Sequence, residues 1–188
     1  MNRYLALAAL SIGILGATAP AANAGLLVET SPTCEGQVLS QPFLSQGDSS
    51  YYTPVPGGSF SDSAAPGWNL NGSRVANGAL TLPAGSSATS PTVCAGLEHP
   101  SMRFYAKSSG LLPLATVSVL TETSLGATVE VPLGLISPGS SLHATPKYLV
   151  LANVLPLLPN NYTPLAFRFR AVTGTWTVDD VWLDPRKH

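Results

Sequence analysis

Apolar and polar positions alternate with a period of two through most of the chain's short apolar runs. Leu165, Phe167, Phe169 and Ala171 interleave with Ala166, Arg168, Arg170 and Val172. One face is apolar and the other carries charge, which predicts a half-buried β-strand. Gly174 predicts a tight reversal, and a second strand through Val178, Val181 and Leu183 would complete a closing hairpin. A two-residue turn there would set Arg168 opposite Asp179; a three-residue turn puts Val181 and Leu183 inside and packs better. Met102, Phe104 and Ala106 alternate with Arg103, Tyr105 and Lys107, and Val117, Val119 and Thr121 with Thr116, Ser118 and Leu120. Further strands are predicted at Gln37–Leu44, Gly58–Ser61, Trp68–Leu70, Ser73–Ala76, Ala79–Leu82, Ser87–Ser90, Thr128–Leu135 and Tyr148–Ala152. No segment has convincing helical periodicity, and Pro156 and Pro159 would stop a helix in the Leu-rich stretch 149–158. With 17 Gly and 17 Pro between the runs, the pattern predicts many short strands in an all-β antiparallel sandwich.

The first residues carry a different pattern. Arg3 precedes an apolar run from Leu5 to Ala19, and Ala22-Asn23-Ala24 fits a small-x-small cleavage site. This predicts a signal peptide over 1–24, cut after Ala24, and a single secreted domain over 25–188, free of the membrane after cleavage. Charged residues are 10% of the chain, against a usual share of about 25%. There is no basic field to gather phosphates, which excludes a nucleic-acid binder. Cys34 and Cys94 are the two cysteines, and in an exported chain they predict one disulfide closing a long loop.

Three short motifs occur in order: Gly57-Gly58-Ser59-Phe60, then Gly67-Trp68-Asn69-Leu70 with Gly72, then Val178-Asp179-Asp180-Val181. Together they resemble jelly-roll domains of the galactose-binding-like fold, which include many carbohydrate-binding modules. The stretch Leu82 to Pro91, Cys94, Met102-Arg103-Phe104-Tyr105-Ala106 and Asp179 to Pro185 is similar to a group of small secreted actinobacterial proteins. The resemblance spans about Gly57 to Pro185 and implies a jelly-roll sandwich. It also implies a structural calcium, often held by a glutamate after the phenylalanine. Here that position is Ser61, with Asp62 next, which departs from the pattern.

Candidate chemistry is sparse. Asp179 and Asp180, as neighbours on a strand, are expected to point to opposite faces, so they form no catalytic carboxylate pair. The inward acid needs a partner. Two readings stand: hydrogen-bonded or ion-paired acid, or a calcium ligand, with Asp179 and Asp62 as the metal candidates and Glu29 as a weaker helper. Sugars stack on exposed aromatic faces. Tyr51 and Tyr52, in a polar loop, and Trp182 or Trp176, on the outer face of the last strand, are the candidate ligand-binding residues, while Trp68 is expected in the core. There is no G-x-S-x-G elbow, and His99 and His143 are expected to be surface histidines. The sequence therefore predicts a secreted, non-catalytic binding module for an extracellular polysaccharide or cell-wall glycan. The alternative is a structural or adhesive protein with a protein partner.

Overall fold

The computed structural model describes residues 27, 34, 37–61, 64–96, 100–123, 125–150 and 162–184. The predicted signal segment, Glu29, Asp62 and His99 lie outside them. The described strands are β1 (Thr53–Pro54), β2 (Asn69–Asn71), β3 (Arg74–Ala76), β4 (Ala79–Leu82), β5 (Ser87–Thr89), β6 (Val93–Gly96), β7 (Ser101–Glu122), β8 (Thr128–Leu135), β9 (His143–Ala144), β10 (Tyr148–Leu149) and β11 (Tyr162–Asp184). All pairings between them are antiparallel.

Two long strands organise everything else. β7 and β11 pair from Leu165 opposite Thr121 to Asp184 opposite Ser101. The predicted closing hairpin is therefore corrected: β11 does not reverse at Gly174 but runs straight through it. The glycine's positive φ of 71° serves a bend instead. Between the pairs Thr173–Leu114 and Thr175–Ser109, β11 contributes only Gly174, while β7 bulges out through residues 110–113. A Cβ on Gly174 would lie 2.6 Å from the Ser109 carbonyl oxygen and 2.9 Å from Pro113 Cβ. The two strands can cross closely here only because this position has no side chain.

The bend divides the strand pair between two sheets. In the first, the N-terminal half of β11 pairs with β5 and β6 on one side and the C-terminal half of β7 on the other, with β2 and β8 at the edges. In the second, the rest of β11 pairs with β1 and β4 and with the start of β7, which β9 and β10 then border. The sheets stack face to face. Phe104 of the second meets Phe169 of the first edge-on at 5.0 Å between ring centres, and the Tyr148 hydroxyl donates to the Leu135 carbonyl at 2.9 Å. This is an all-β antiparallel jelly-roll sandwich, stapled by the Cys34–Cys94 disulfide on β6.

Burial follows the alternation, with its phase shifted twice. Leu165, Phe167, Phe169 and Ala171 face the core; after the bend Trp176 and Val178 do, and then Val181 and Leu183. The second shift is a bulge: between the pairs Asp179–Tyr105 and Trp182–Arg103, β11 contributes two residues and β7 one, and Asp180 takes φ 47°. Val181 and Leu183 are inside, as the preferred register required, but both acids lie off the core face. The expected split of Asp179 and Asp180 to opposite faces is thereby corrected.

Two predicted strands are other structures. Over Gln37–Leu44 only Ser40 forms a bridge, to Tyr52, before a 3-10 turn at Leu44–Gln46. Gly58–Ser61 is a turn that drives Phe60 into the core.

Candidate functional site

The outer faces of the two sheets differ. On the second, outward Arg103 and Tyr105 of β7 are covered by residues 40–52. Phe43 stacks on Tyr105 at 5.6 Å, and the Arg103 guanidinium sits 4.5 Å from the centre of the Phe43 ring. Buried Asp48 accepts from Arg103 at 2.8 Å, Lys147 at 2.8 Å and the Tyr52 hydroxyl at 2.7 Å. Burial alone would raise the Asp48 pKa. The bonds from Lys147, Tyr52, the Ser50 amide and Arg103 outweigh it and hold the carboxyl well below the usual carboxylate range.

On the first sheet, among the described residues, Leu27 packs against Leu120 and Ala166 and a cleft lies beside them. On β11, Ala166, Arg168 and Arg170 point away from the core, because Leu165, Phe167, Phe169 and Ala171 fill it. Across the sheet, Asn69 of β2 stands beside Thr89 of β5, Thr89 beside Arg168, and Arg168 beside Ser118 of β7. A cavity of about 510 Å³ opens over this row. Asn69, Thr89, Arg168 and Thr128 give it polar groups; Gly67, Ser90, Pro91 and Thr92 form its rim; Leu27, Leu120 and Ala166 make an apolar wall. The Ser90 hydroxyl accepts the Phe167 N–H at 2.9 Å and donates to the Pro91 carbonyl at 2.8 Å, so it holds the loop in place. The Arg168 Nε donates to Thr89 Oγ1 at 3.1 Å and its Nη1 to Glu130 Oε2 at 2.7 Å. These bonds hold the guanidinium plane over the cleft.

The residues singled out from sequence fall elsewhere. Tyr52 is 0% exposed and spends its hydroxyl on Asp48, so as a sugar-facing ring it is corrected to a core residue of the covered face. Its partner Tyr51 is 43% exposed in the same segment. Trp182 is half-buried on the outer side of the second sheet, opposite Pro54 and Arg103. None of the three lines the cleft. Trp68 is in the core, stacked on Phe169. His143 sits on β9, its Nδ1 3.0 Å from the Ser141 carbonyl.

Asp179 and Asp180 share the bulge, and the Asp180 N–H donates to Asp179 Oδ1 at 2.8 Å. Burial pushes Asp179 up to about 6, the Asp180 N–H bond opposing this and the Asp180 charge adding to it; burial also raises Asp180. Among the described residues no third carboxylate, imidazole or thiolate joins them as a metal-binding group.

Nothing in the sequence pattern marks Asn69, Thr89 and Arg168 as site residues. Their outward direction was readable from the alternation, but which sheet face stays open depends on where residues 40–52 settle, and no local pattern encodes that.

No protein-family model and no curated protein matches the chain. Solved structures with related architecture include the second N-terminal cellulose-binding domain of Cellulomonas fimi β-1,4-glucanase C (21% identity, covering 75% of this chain and 98% of that one, TM-score 0.49). The CBM22-1 xylan-binding domain of Paenibacillus barcinonensis Xyn10C is similar at 11% identity over 69% of this chain and 93% of that one, with a TM-score of 0.45. The chain also aligns with the enzymatically active domain of bacteriophage CBA120 tailspike protein 4 (16% identity, 69% of this chain, TM-score 0.46), of which it spans 21%.

Proposed function

We propose that this protein is a secreted, non-catalytic binding module that takes an extended polysaccharide across the outer face of its first sheet. The observation that carries this reading is the open cleft floored by a cross-strand row of hydrogen-bonding side chains, Asn69, Thr89 and Arg168, beside an apolar wall. Hydroxyl-rich chains need both: polar groups at fixed spacing and an apolar surface for C–H faces. Adjacent strands place those groups about 4.8 Å apart on a rigid floor. Binding rather than hydrolysis is favoured because the described carboxylate that reaches the row, Glu130, is tied to Arg168, and glycoside hydrolysis uses two carboxylates across one bond. The disulfide fits an oxidising, extracellular setting.

The test is binding of the oxidised protein to a polysaccharide panel. Asn69→Ala and Thr89→Ala are each expected to weaken binding about fivefold to tenfold, the worth of one hydrogen bond, with the melting temperature within a few degrees of the parent. Tyr51→Ala and Trp182→Ala should bind as the parent does. Unchanged binding by the cleft variants, or loss on Trp182→Ala alone, would place the site elsewhere.

A second reading, a protein-binding surface, is favoured by one feature. Leu111 and Leu112 project from the β7 bulge at 89% and 80% exposure, Leu112 with φ 48°. Cross-linking that captured a partner through Leu112 and failed with Leu112→Asn would support it.

A further inference from the structure

We infer that the polysaccharide taken by this face bears carboxylates, as a polyuronate does; the inference rests on the glycan reading above and names its ligand class. Arg168 and Arg170 lie on the same outward face of β11, two positions apart in an unbroken ladder and so separated by about 7 Å. Arg168 stands between Thr89 and Ser118, and Arg170 between Ser87 and Thr116. Two guanidinium groups thus sit on the central strand of the open face, flanked by hydroxyls. Their counter-charge is thin. Of the acids on this face among the described residues, Glu122 is 3% exposed and accepts the Leu27 N–H at 2.6 Å. Glu130 alone reaches a guanidinium, in a pair whose side chains are 30% and 34% exposed. The Arg170 side chain is exposed and has no hydrogen-bonded or ion-paired partner among the described residues.

The ligand chemistry follows. Among the described residues the cleft is lined by polar and aliphatic side chains rather than aromatic ones, so its described charge comes from the arginines. A guanidinium fork matches a carboxylate in plane and takes it through two parallel N–H bonds. At Arg168 one carboxylate, that of Glu130, already occupies part of that fork. Glu130 therefore stands in for the ligand group and competes with it. An exposed ion pair of this kind is weak enough to exchange for a ligand carboxylate.

The experiment compares polygalacturonate with its fully methyl-esterified form, which keeps the backbone and removes the charge, and with xylan and dextran sulfate, at fixed ionic strength on the oxidised protein. Polygalacturonate is expected to bind at least about tenfold more tightly than the ester. Arg170→Gln, at an exposed position, should lose about tenfold, as should Arg168→Gln. Glu130→Gln, which frees Arg168, should gain several-fold. Equal binding of acid and ester, no effect of the arginine variants, or dextran sulfate bound as tightly as polygalacturonate would overturn the carboxylate inference. If xylan binds and responds to Asn69→Ala but not to Arg168→Gln or Arg170→Gln, the glycan reading stands and this inference falls. If nothing on the panel binds, both fall.

Discussion

Two aspartates, Asp48 in the segment that covers the second sheet and Asp179 in the β11 bulge, respond to acid in opposite ways. Asp48, held well below its usual range by Lys147, Tyr52 and Arg103, adds stability that is fully present above about pH 4 and is lost only as pH falls through its low folded value. It is silent between pH 7 and 5. Asp179, pushed up to about 6 by burial, does the reverse. Below that value the folded chain holds a proton that the unfolded chain, with a carboxyl near 3.9, gives up until lower pH. Lowering pH from 7 to 5 should therefore raise the melting temperature. Asp179→Asn should flatten that rise and stabilise the protein at pH 7. A melting temperature independent of pH in the parent would refute the assignment. We propose the same scan with calcium and with a chelator as the test of a structural ion: calcium on Asp179 would keep the carboxylate charged and erase the slope. What could not be read from Asp179-Asp180 was the bulge. Adjacent acids on an ideal strand must point apart, and only the register slip against Tyr105 and Arg103 turns both outward.

Among the elements, the meeting of β7 and β11 is the most exacting. Gly174→Ala would force a methyl group to within 2.6 Å of a backbone oxygen and hold a non-glycine residue at φ 71°. The expected cost is at least about 2 kcal/mol, the sum of ordinary overpacking and left-handed strain, measured as a shift in the urea midpoint. A variant as stable as the parent would mean that the strands part easily at this point. The short strands were legible because their alternation is local: Ala79–Leu82 and Thr128–Leu135 coincide with the strands found. The long ones were not. A glycine flanked by strand pattern reads equally as a reversal or as a bend, and the choice was made by residues 110–113, more than sixty positions upstream. The same limit hid the cleft, since Arg168 is an ordinary outward side chain until the opposite sheet is seen to be covered.

For the molecule as a whole, the Cys34–Cys94 bridge spans 60 residues, and β1 to β5 lie inside the loop it closes. Chain-entropy reasoning puts its contribution at about 4 kcal/mol. Replacing both cysteines by alanine should lower the urea midpoint by a corresponding amount; a double variant of unchanged stability would show that the loop is already restrained by its strands. The pairing itself was legible, because two cysteines leave one intramolecular choice.

Because β7 and β11 each belong to both layers, neither layer owns a complete set of strands. Their partners approach along a gradient of sequence distance, from 44 positions between Thr121 and Leu165 to 83 between Ser101 and Asp184. Chain closure is cheapest at the near end. Zippering that starts there shapes the arginine-bearing layer early and leaves the far layer, with the Asp48 cluster, to form last. Losing the far layer would strip half the hydrogen-bond ladder from the same two strands, so a ligand held at one end of the ladder would also steady the other.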